Sequence, residues 1–206
     1  SLNYYFSGSY AYKSPAVAIK TDYNFFYNEI NNKIELARST IISDQYTYFN
    51  IDQYKTKGIS GNINILKGNT DLSIGLSHIG RYNKLSESNN LKEFNFSTDY
   101  NASAIINIGN KNKLNLYYKY FGKLPSFEVQ GQMITETYIN SYQLLDLSFN
   151  RKINNTIITV GGKNLLNISQ IKTLSEVSET TPHTSSENNR SISYGRTLFL
   201  QLNLYL

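Results

Sequence analysis

Apolar and polar residues alternate along most of this chain. In "RTLFLQLNLYL" (Arg196–Leu206), Leu198, Leu200, Leu202, Leu204 and Leu206 form one set, and Thr197, Phe199, Gln201, Asn203 and Tyr205 the other. A period of two puts successive side chains on opposite faces of an extended strand. The segment therefore predicts a strand with one aliphatic face and one mixed polar and aromatic face. The pattern recurs. "VAIKTDYNFFY" sets Val17, Ile19, Tyr23, Phe25 and Tyr27 against Lys20, Asp22 and Asn24. "TDLSIGLS" sets Leu72, Ile74 and Leu76 against Asp71, Ser73 and Ser77. Phe94, Phe96, Tyr100, Ala104, Ile106 and Ile108 oppose Asn95, Ser97, Asp99, Asn101 and Asn107. "GISGNINI", "LNLYYKY" and "LLDLSFN" behave alike. No segment carries a 3.6-residue stripe over three turns, so the chain reads as all-β, with about nine strands.

The connections alternate too. Tight, Gly- and Asn-bearing ones lie near Ser14, at Lys67–Asn69, at Gly109–Lys113 and at Lys152–Asn155, as short hairpin turns require. Long polar ones span Ala37–Gln45, Asn83–Lys92, Lys123–Asn140 and Asn167–Arg190. Short turns at one end and long loops at the other are the pattern of a transmembrane antiparallel β-barrel, a meander in which lipid-facing and lumen-facing residues alternate. In water, the Leu row of the terminal segment beside an open edge would invite aggregation. Nine strands do not fit the even counts of such barrels, so the chain reads as the C-terminal part of a larger wall.

Composition narrows the function classes. The 206 residues contain no Cys, which excludes disulfides and thiolate metal sites. No stretch approaches the roughly 18 apolar residues of a spanning helix. The opening "SLNYYFSGSY" has neither a basic nor an apolar signal region, so the expectation is a mature chain or a piece of a longer one. The net charge is +5, but the Lys residues are scattered, and no stripe suited to tracking phosphates forms. No nucleic-acid partner is expected. Tyr (18) outnumbers Phe (10), and an amphipathic ring suits strand ends at headgroup level.

Three segments, in order, resemble the end of TonB-dependent outer-membrane receptors. "FFYNEINNKIEL" followed by "YTYFNIDQYKTKGISGNINI" resembles a strand, loop and return strand of that family, with a Gly-containing bulge. "YQLLDLSFNRKINNTIITVGGKNLLNIS" resembles its penultimate hairpin, including the signature at Lys163–Asn167, and "YGRTLFLQLNLYL" its last strand. Family members usually end on an aromatic residue, whereas here Tyr205 precedes a terminal Leu206. The resemblance implies residues 1–206 of the C-terminal barrel domain, within a wall of about 22 strands. The plug domain, the TonB box and about thirteen N-terminal strands would lie outside this chain. It further implies the outer membrane of a Gram-negative bacterium and energy-coupled import of a bulky, scarce nutrient: an iron-siderophore, haem or cobalamin. The partners would be outer-membrane lipid, the missing barrel and plug portion, the TonB complex acting through that portion, and in some members a surface lipoprotein. Oligosaccharide or peptide import by the same fold, or a structural, partner-binding barrel, is the alternative. A soluble β-sandwich lectin lies outside the family.

No catalytic constellation is legible. His78 and His183 are the only histidines, and no feature links them to a nucleophile or an acid. The expectation is therefore no enzyme, no cofactor and no metal. The substrate-contact candidates are Arg81, Tyr82, His183 and Arg190. Arg81 and Tyr82, at a strand-to-loop junction, suit an anionic cargo, or else a snorkelling cation and an interface anchor. His183, in the longest loop, reads as a ligand to a bound haem or metal complex, or as a solvated loop histidine. Arg190 with nearby Tyr side chains would serve a siderophore, and the loop amides a glycan. Asp146 is expected to face the lumen or the plug. Gly161 and Gly162 precede no helix, so they mark a kink or a close backbone approach, not a phosphate loop.

Overall fold

The computed structural model describes residues 1–39, 46–84, 94–130, 133–175, 188–192 and 194–205. Among these residues thirteen strands follow one another: β1 (Leu2–Lys13), β2 (Ala18–Ser39), β3 (Tyr46–Lys67), β4 (Thr70–Lys84), β5 (Asn95–Ile108), β6 (Asn112–Phe121), β7 (Leu124–Gln130), β8 (Met133–Ile139), β9 (Tyr142–Ile153), β10 (Thr156–Lys163), β11 (Gln170–Ser175), β12 (Asn188–Ser191) and β13 (Thr197–Leu204). Among the described residues there is no helix. Nine of the strands form an antiparallel wall, β1-β2-β3-β4-β5-β6-β9-β10-β13, in which each is paired with its neighbours. The sheet is not closed: among the described residues the outer edges of β1 and β13 share no ladder.

The alternation read from the sequence becomes two continuous faces. One row of register partners runs Tyr12, Ile19, Ile65, Leu72, Ala104, Leu116, Leu147, Gly162, Leu198. Paired residues of an antiparallel ladder point to the same side, so this row and every second row share a face. That face, called the outer face, is mainly apolar on all nine strands and carries Glu29, Lys55 and Lys57 towards the ends of β2 and β3 away from the tight turns. On β13 it presents Leu198, Leu200, Leu202 and Leu204, the first 76% exposed and the last 73%. The inner face carries Asp22, Asn24, Asn62, Ser77, Asp99, Asn101, Lys119 and Asp146 in the alternate rows.

Strand ends are staggered in one direction. Past the row just named, β1 continues only to Lys13 and β3 to Lys67, whereas β5 reaches Ile108 and β9 reaches Ile153. Each successive hairpin therefore sits farther along the strand direction. Two-residue turns follow β3 and β9, and their first residues, Gly68 (φ 57) and Asn154 (φ 50), occupy the left-handed region such hairpins use. The four tight turns define a turn end of the wall; the long connections leave from the opposite, loop end.

The structure corrects four expectations. Two of the long connections hold strands of their own: Lys123–Asn140 contains the β7–β8 hairpin, and Asn167–Arg190 contains β11 and part of β12. Their polar, weakly alternating sequence hid them, because short strands at a loop end need no apolar face. β8 pairs with β11, and β7 pairs with β2 through Arg38↔Glu128 and Ser39↔Val129. That last ladder is parallel, so the sheet is not wholly antiparallel. β2 and β4 also run on to Ser39 and Lys84, past the expected loop starts at Ala37 and Asn83. Finally, there is no bulge at Gly58. Gly58 pairs in register with Phe26 and Ile79, and the Phe26 ring occupies the space of its missing side chain.

An aromatic ring over a cross-strand glycine is a repeated device here. Tyr23 covers Gly8, Phe96 covers Gly80, and Phe199 covers Gly161, each on its register partner. The ring shields backbone that a glycine leaves bare and pins the register. Gly161 is thus a place of close approach, one of the two readings its sequence allowed. A Cβ there would lie 2.6 Å from Phe199 Cζ and 2.8 Å from the Leu147 carbonyl oxygen. Gly161→Val is expected to lower unfolding stability by about 1–3 kcal/mol through overpacking. Gly68→Asn, in open space at a turn that tolerates Asn, is expected to stay within about 0.5 kcal/mol. Denaturant titration of the full-length protein checks both.

Candidate functional site

Two adjacent rows of the inner face form a polar groove of about 410 Å³. One row is Asp22, Asn62, Gly75, Asn101, Lys119, and the other is Asn24, Ser60, Ser77 and, on β5, Asp99. Each polar residue comes from the even or odd set that the sequence left opposite the aliphatic one, so the ladder alone brings five strands' worth of them together. Gly75 forms the floor: the Asn101 amide lies across it, where a side chain would otherwise stand.

The groove is internally hydrogen-bonded. Tyr5 donates its hydroxyl to Asn24 Oδ1 at 2.7 Å, and Asn24 Nδ2 donates to Ser60 Oγ at 3.4 Å. Ser73 Oγ donates to Asn62 Oδ1 at 3.2 Å. Lys20 lies 3.4 Å from Asp22, and Lys119 Nζ stands 4.3 Å from the centre of the Phe121 ring. The Gly122 N–H donates to Asp99 Oδ1 at 2.8 Å.

Asp99 also lines a second cavity of about 400 Å³ at the loop end, with Phe121, Leu124, Ile139, Tyr142 and Ile171. The Phe121 and Tyr142 rings stack there, with centroids 4.4 Å apart. This cavity is largely apolar and lies where β8 and β11 meet the top of β6 and β9. Polar groove and apolar cavity thus adjoin at one carboxylate. Carboxylates, amides, hydroxyls and one ammonium in a water-accessible trough form hydrogen bonds to a polar surface laid against it. They hold no base-and-nucleophile arrangement. Among the described residues, no three His, Asp or Glu side chains gather as a metal site.

The residues singled out from the sequence do not converge. Arg81 and Tyr82 are adjacent on β4 and so take opposite faces. Arg81 lies on the inner face between Thr56 and Asn95, and its Nη1 is buried without a hydrogen-bond partner. Tyr82 lies on the outer face, its ring 6.0 Å from that of Phe94 and 5.7 Å from Lys55 Nζ. Arg190 stands in β12 opposite Ile171. His183 lies outside the described residues. His78 is on the outer face, stacked on Phe96 at 4.8 Å with Nδ1 2.8 Å from Thr98 Oγ1. The groove went unread in the sequence because its members are far apart in the chain and individually ordinary.

The segment Lys163–Asn167 is a built knot. Asn164, 7% exposed and at φ 50, donates its N–H to Asp146 Oδ1 at 2.8 Å and its side-chain amide to the Ile168 carbonyl at 2.8 Å. Its Oδ1 accepts the Ile168 N–H at 3.0 Å. Asn167 Oδ1 accepts the Arg196 N–H at 3.0 Å, and the Arg196 guanidinium donates twice to the Leu165 carbonyl, at 3.1 and 2.8 Å. Asp146 therefore lies on the same face as the polar groove and ties β9 to the end of β10, while Arg196 ties in the start of β13. No known protein family, curated protein or solved structure matches this chain.

Removing the Asn164 side chain breaks both of its bonds to the Ile168 backbone at once. Asn164→Ala is expected to cost about 2–4 kcal/mol, more than a single exposed hydrogen bond. Asn167→Ala, which loses one acceptor on the exposed side, is expected to cost about 1 kcal/mol. Thermal unfolding of the two variants side by side checks the order.

Proposed function

We propose that this chain is part of an outer-membrane β-barrel of the TonB-dependent receptor type, supplying wall and loops for import of a bulky nutrient. One observation carries the reading: an apolar outer face and a polar inner face, continuous over nine staggered strands, with nearly no apolar core between them. Among the described residues only Ala37, Ile51 and Ile171 are buried hydrophobics, whereas large hydrophobic side chains (Leu, Ile, Val, Tyr or Phe) stand exposed on every wall strand. A water-soluble chain of this size would bury such a surface, since contiguous apolar patches of this extent mark contact with another phase or partner. A bilayer covers it without further protein. The seven interior wall strands satisfy their backbone groups in ladders, as hydrocarbon demands, and the open edges of β1 and β13 would pair with the portion of the wall outside this chain.

The turn end then faces the periplasm, and β7–β8 and β11–β12 face outward. β2 and β3, at 22 residues each, reach about 73 Å when extended and so project well beyond the hydrocarbon. The inner groove suits a hydrated lumen that packs a polar plug. Iron-siderophore, haem or cobalamin uptake is the first reading of the cargo, with Arg81 and Arg190 as candidates for an anionic one. Oligosaccharide or peptide uptake is the second; the amides and carboxylates of the groove, beside the Phe121–Tyr142 stack, favour a hydroxyl- or amide-rich cargo.

Two experiments test this. In the full-length protein reconstituted in bilayers, spin labels at Leu200 and Gln201 should differ in access to a lipid-soluble quencher, with Leu200 the more accessible. Leu202→Arg should cost about 2–4 kcal/mol near the midplane, and Gln201→Arg should be tolerated. Equal quencher access at the two positions sinks the membrane wall. For cargo, growth is compared on one iron or carbon source at a time, with the intact gene, its deletion, and a deletion of Asn167–Arg190. Loss of growth on one source names the cargo class. Unchanged growth on every source after gene deletion favours a structural, partner-binding barrel.

A further inference from the structure

We infer that the apolar cavity at the loop end is a binding site for a small organic cation, an apolar, ring-bearing body that carries one protonated amine. The inference stands on the geometry of the cavity and is independent of the membrane reading. The cavity measures about 400 Å³, within the range of roughly 300–1,000 Å³ over which small-molecule sites are built. Register explains how it forms. Phe121 and Tyr142 are partners across β6 and β9, and Leu124 and Ile139 are partners across β7 and β8. Each couple puts its two side chains on one side of its ladder. Ile171 of β11, 4% exposed, and Ile192 complete the apolar lining.

One charge interrupts that lining. Among the residues around the cavity, Asp99 alone is charged. Its Oδ1 accepts the Gly122 N–H at 2.8 Å. This approach needs glycine at 122, because a Cβ there would lie 2.5 Å from the Thr98 carbonyl oxygen and 2.7 Å from Ser97 Oγ. The bond fixes the carboxylate and leaves Oδ2 without a hydrogen-bond partner among the described residues. Among the same residues no Lys or Arg forms an ion pair with Asp99. Lys119, which shares the polar groove with it, holds its Nζ over the Phe121 ring instead, 4.3 Å from the centre.

A carboxylate beside an apolar lining is costly unless it is paired and hydrogen-bonded. A protonated amine meets the free oxygen with a charge-assisted hydrogen bond, about twice as strong as a neutral one. The body behind the amine then lies against Leu124, Ile139 and Ile171, and the stacked rings take a flat group at their edge. The same carboxylate repels an anion, so the cavity sorts ligands by charge. Arg81 and Arg190, the candidates for an anionic cargo, do not line it. The cavity therefore selects a class of ligand that those two residues would reject.

The test uses purified full-length protein and equilibrium dialysis with three probes that share one body: tryptamine, tryptophol and indole-3-acetate. They carry an ammonium, a hydroxyl and a carboxylate in turn. Wild type is expected to bind tryptamine roughly tenfold more tightly than tryptophol and to exclude indole-3-acetate. Asp99→Asn keeps an acceptor for the Gly122 N–H but removes the charge, so tryptamine should fall to the affinity of tryptophol. Leu124→Trp, at a side chain already 41% exposed, fills the cavity and should abolish binding of both. Asp71→Asn, on β4 at the turn end, should bind as wild type does. Unchanged thermal unfolding verifies that each variant is folded. Equal binding of the three probes by wild type overturns the inference by assigning binding to apolar contact alone. A preference for tryptamine that survives Asp99→Asn overturns it, as does undiminished binding by Leu124→Trp or no binding of any probe. The charge preference together with equal quencher access at Leu200 and Gln201 sinks the membrane wall and leaves this inference standing. Unequal quencher access without the preference sinks only the inference.

Discussion

Backbone pairing through an unbroken register is the constraint on which the rest of this structure depends. Each interior wall strand gives its N–H and C=O groups to two neighbours, and once a pairing is set, the face of every side chain follows from its parity. A slip of one residue anywhere would turn the Leu row of β13 or the Ile residues of β3 to the inner side. The register instead holds across the wall, so nine separate alternations merge into two faces. Hydrophobic burial, usually the dominant favourable term, has little to act on inside the chain, because so few hydrophobics are buried among the described residues. The outer face therefore needs an apolar surrounding supplied from elsewhere, and that need motivates the membrane proposal.

Several local devices protect the register. Rings lie over cross-strand glycines at Gly8, Gly58, Gly80 and Gly161. Left-handed residues at Gly68 and Asn154 set the turns. The Asp146–Asn164 bond fixes the loop end of β10, and Arg196 brings the chain back into β13 at the right height. These interactions matter most at strand ends, where the ladder no longer constrains the chain. At mid-strand the pairing itself suffices, and Asn and Ser are free to line the groove.

The loop end is organised differently. There β8 pairs with β11 and β7 adds to β2, so these short strands extend the same sheet, and Leu124, Ile139 and Ile171 from them line the cavity with Phe121 and Tyr142. The apolar cavity adjoins the polar groove, and Asp99 belongs to both. A cargo entering from that end would meet stacked rings first and amides after, under the proposed function.

Period-two patterning was enough to read the wall strands, their faces and the tight turns, because a strand's side chains alternate whatever it pairs with. Leu198 to Leu204, Tyr23 with Phe25, and Asp146 all lie on the faces their parity implied. The strands β7, β8, β11 and β12 escaped, since they are short and need no apolar face of their own. The groove escaped for a related reason: Asp22, Asn62, Asn101 and Lys119 are neighbours only through four successive registers, and a register is a property of pairs of strands, not of either strand's sequence. Arg81 and Tyr82, adjacent in sequence, were separated by the same rule that joined the others. Local chemistry thus determined which elements form and which side of each is greasy, while long-range pairing decided which polar side chains share a site.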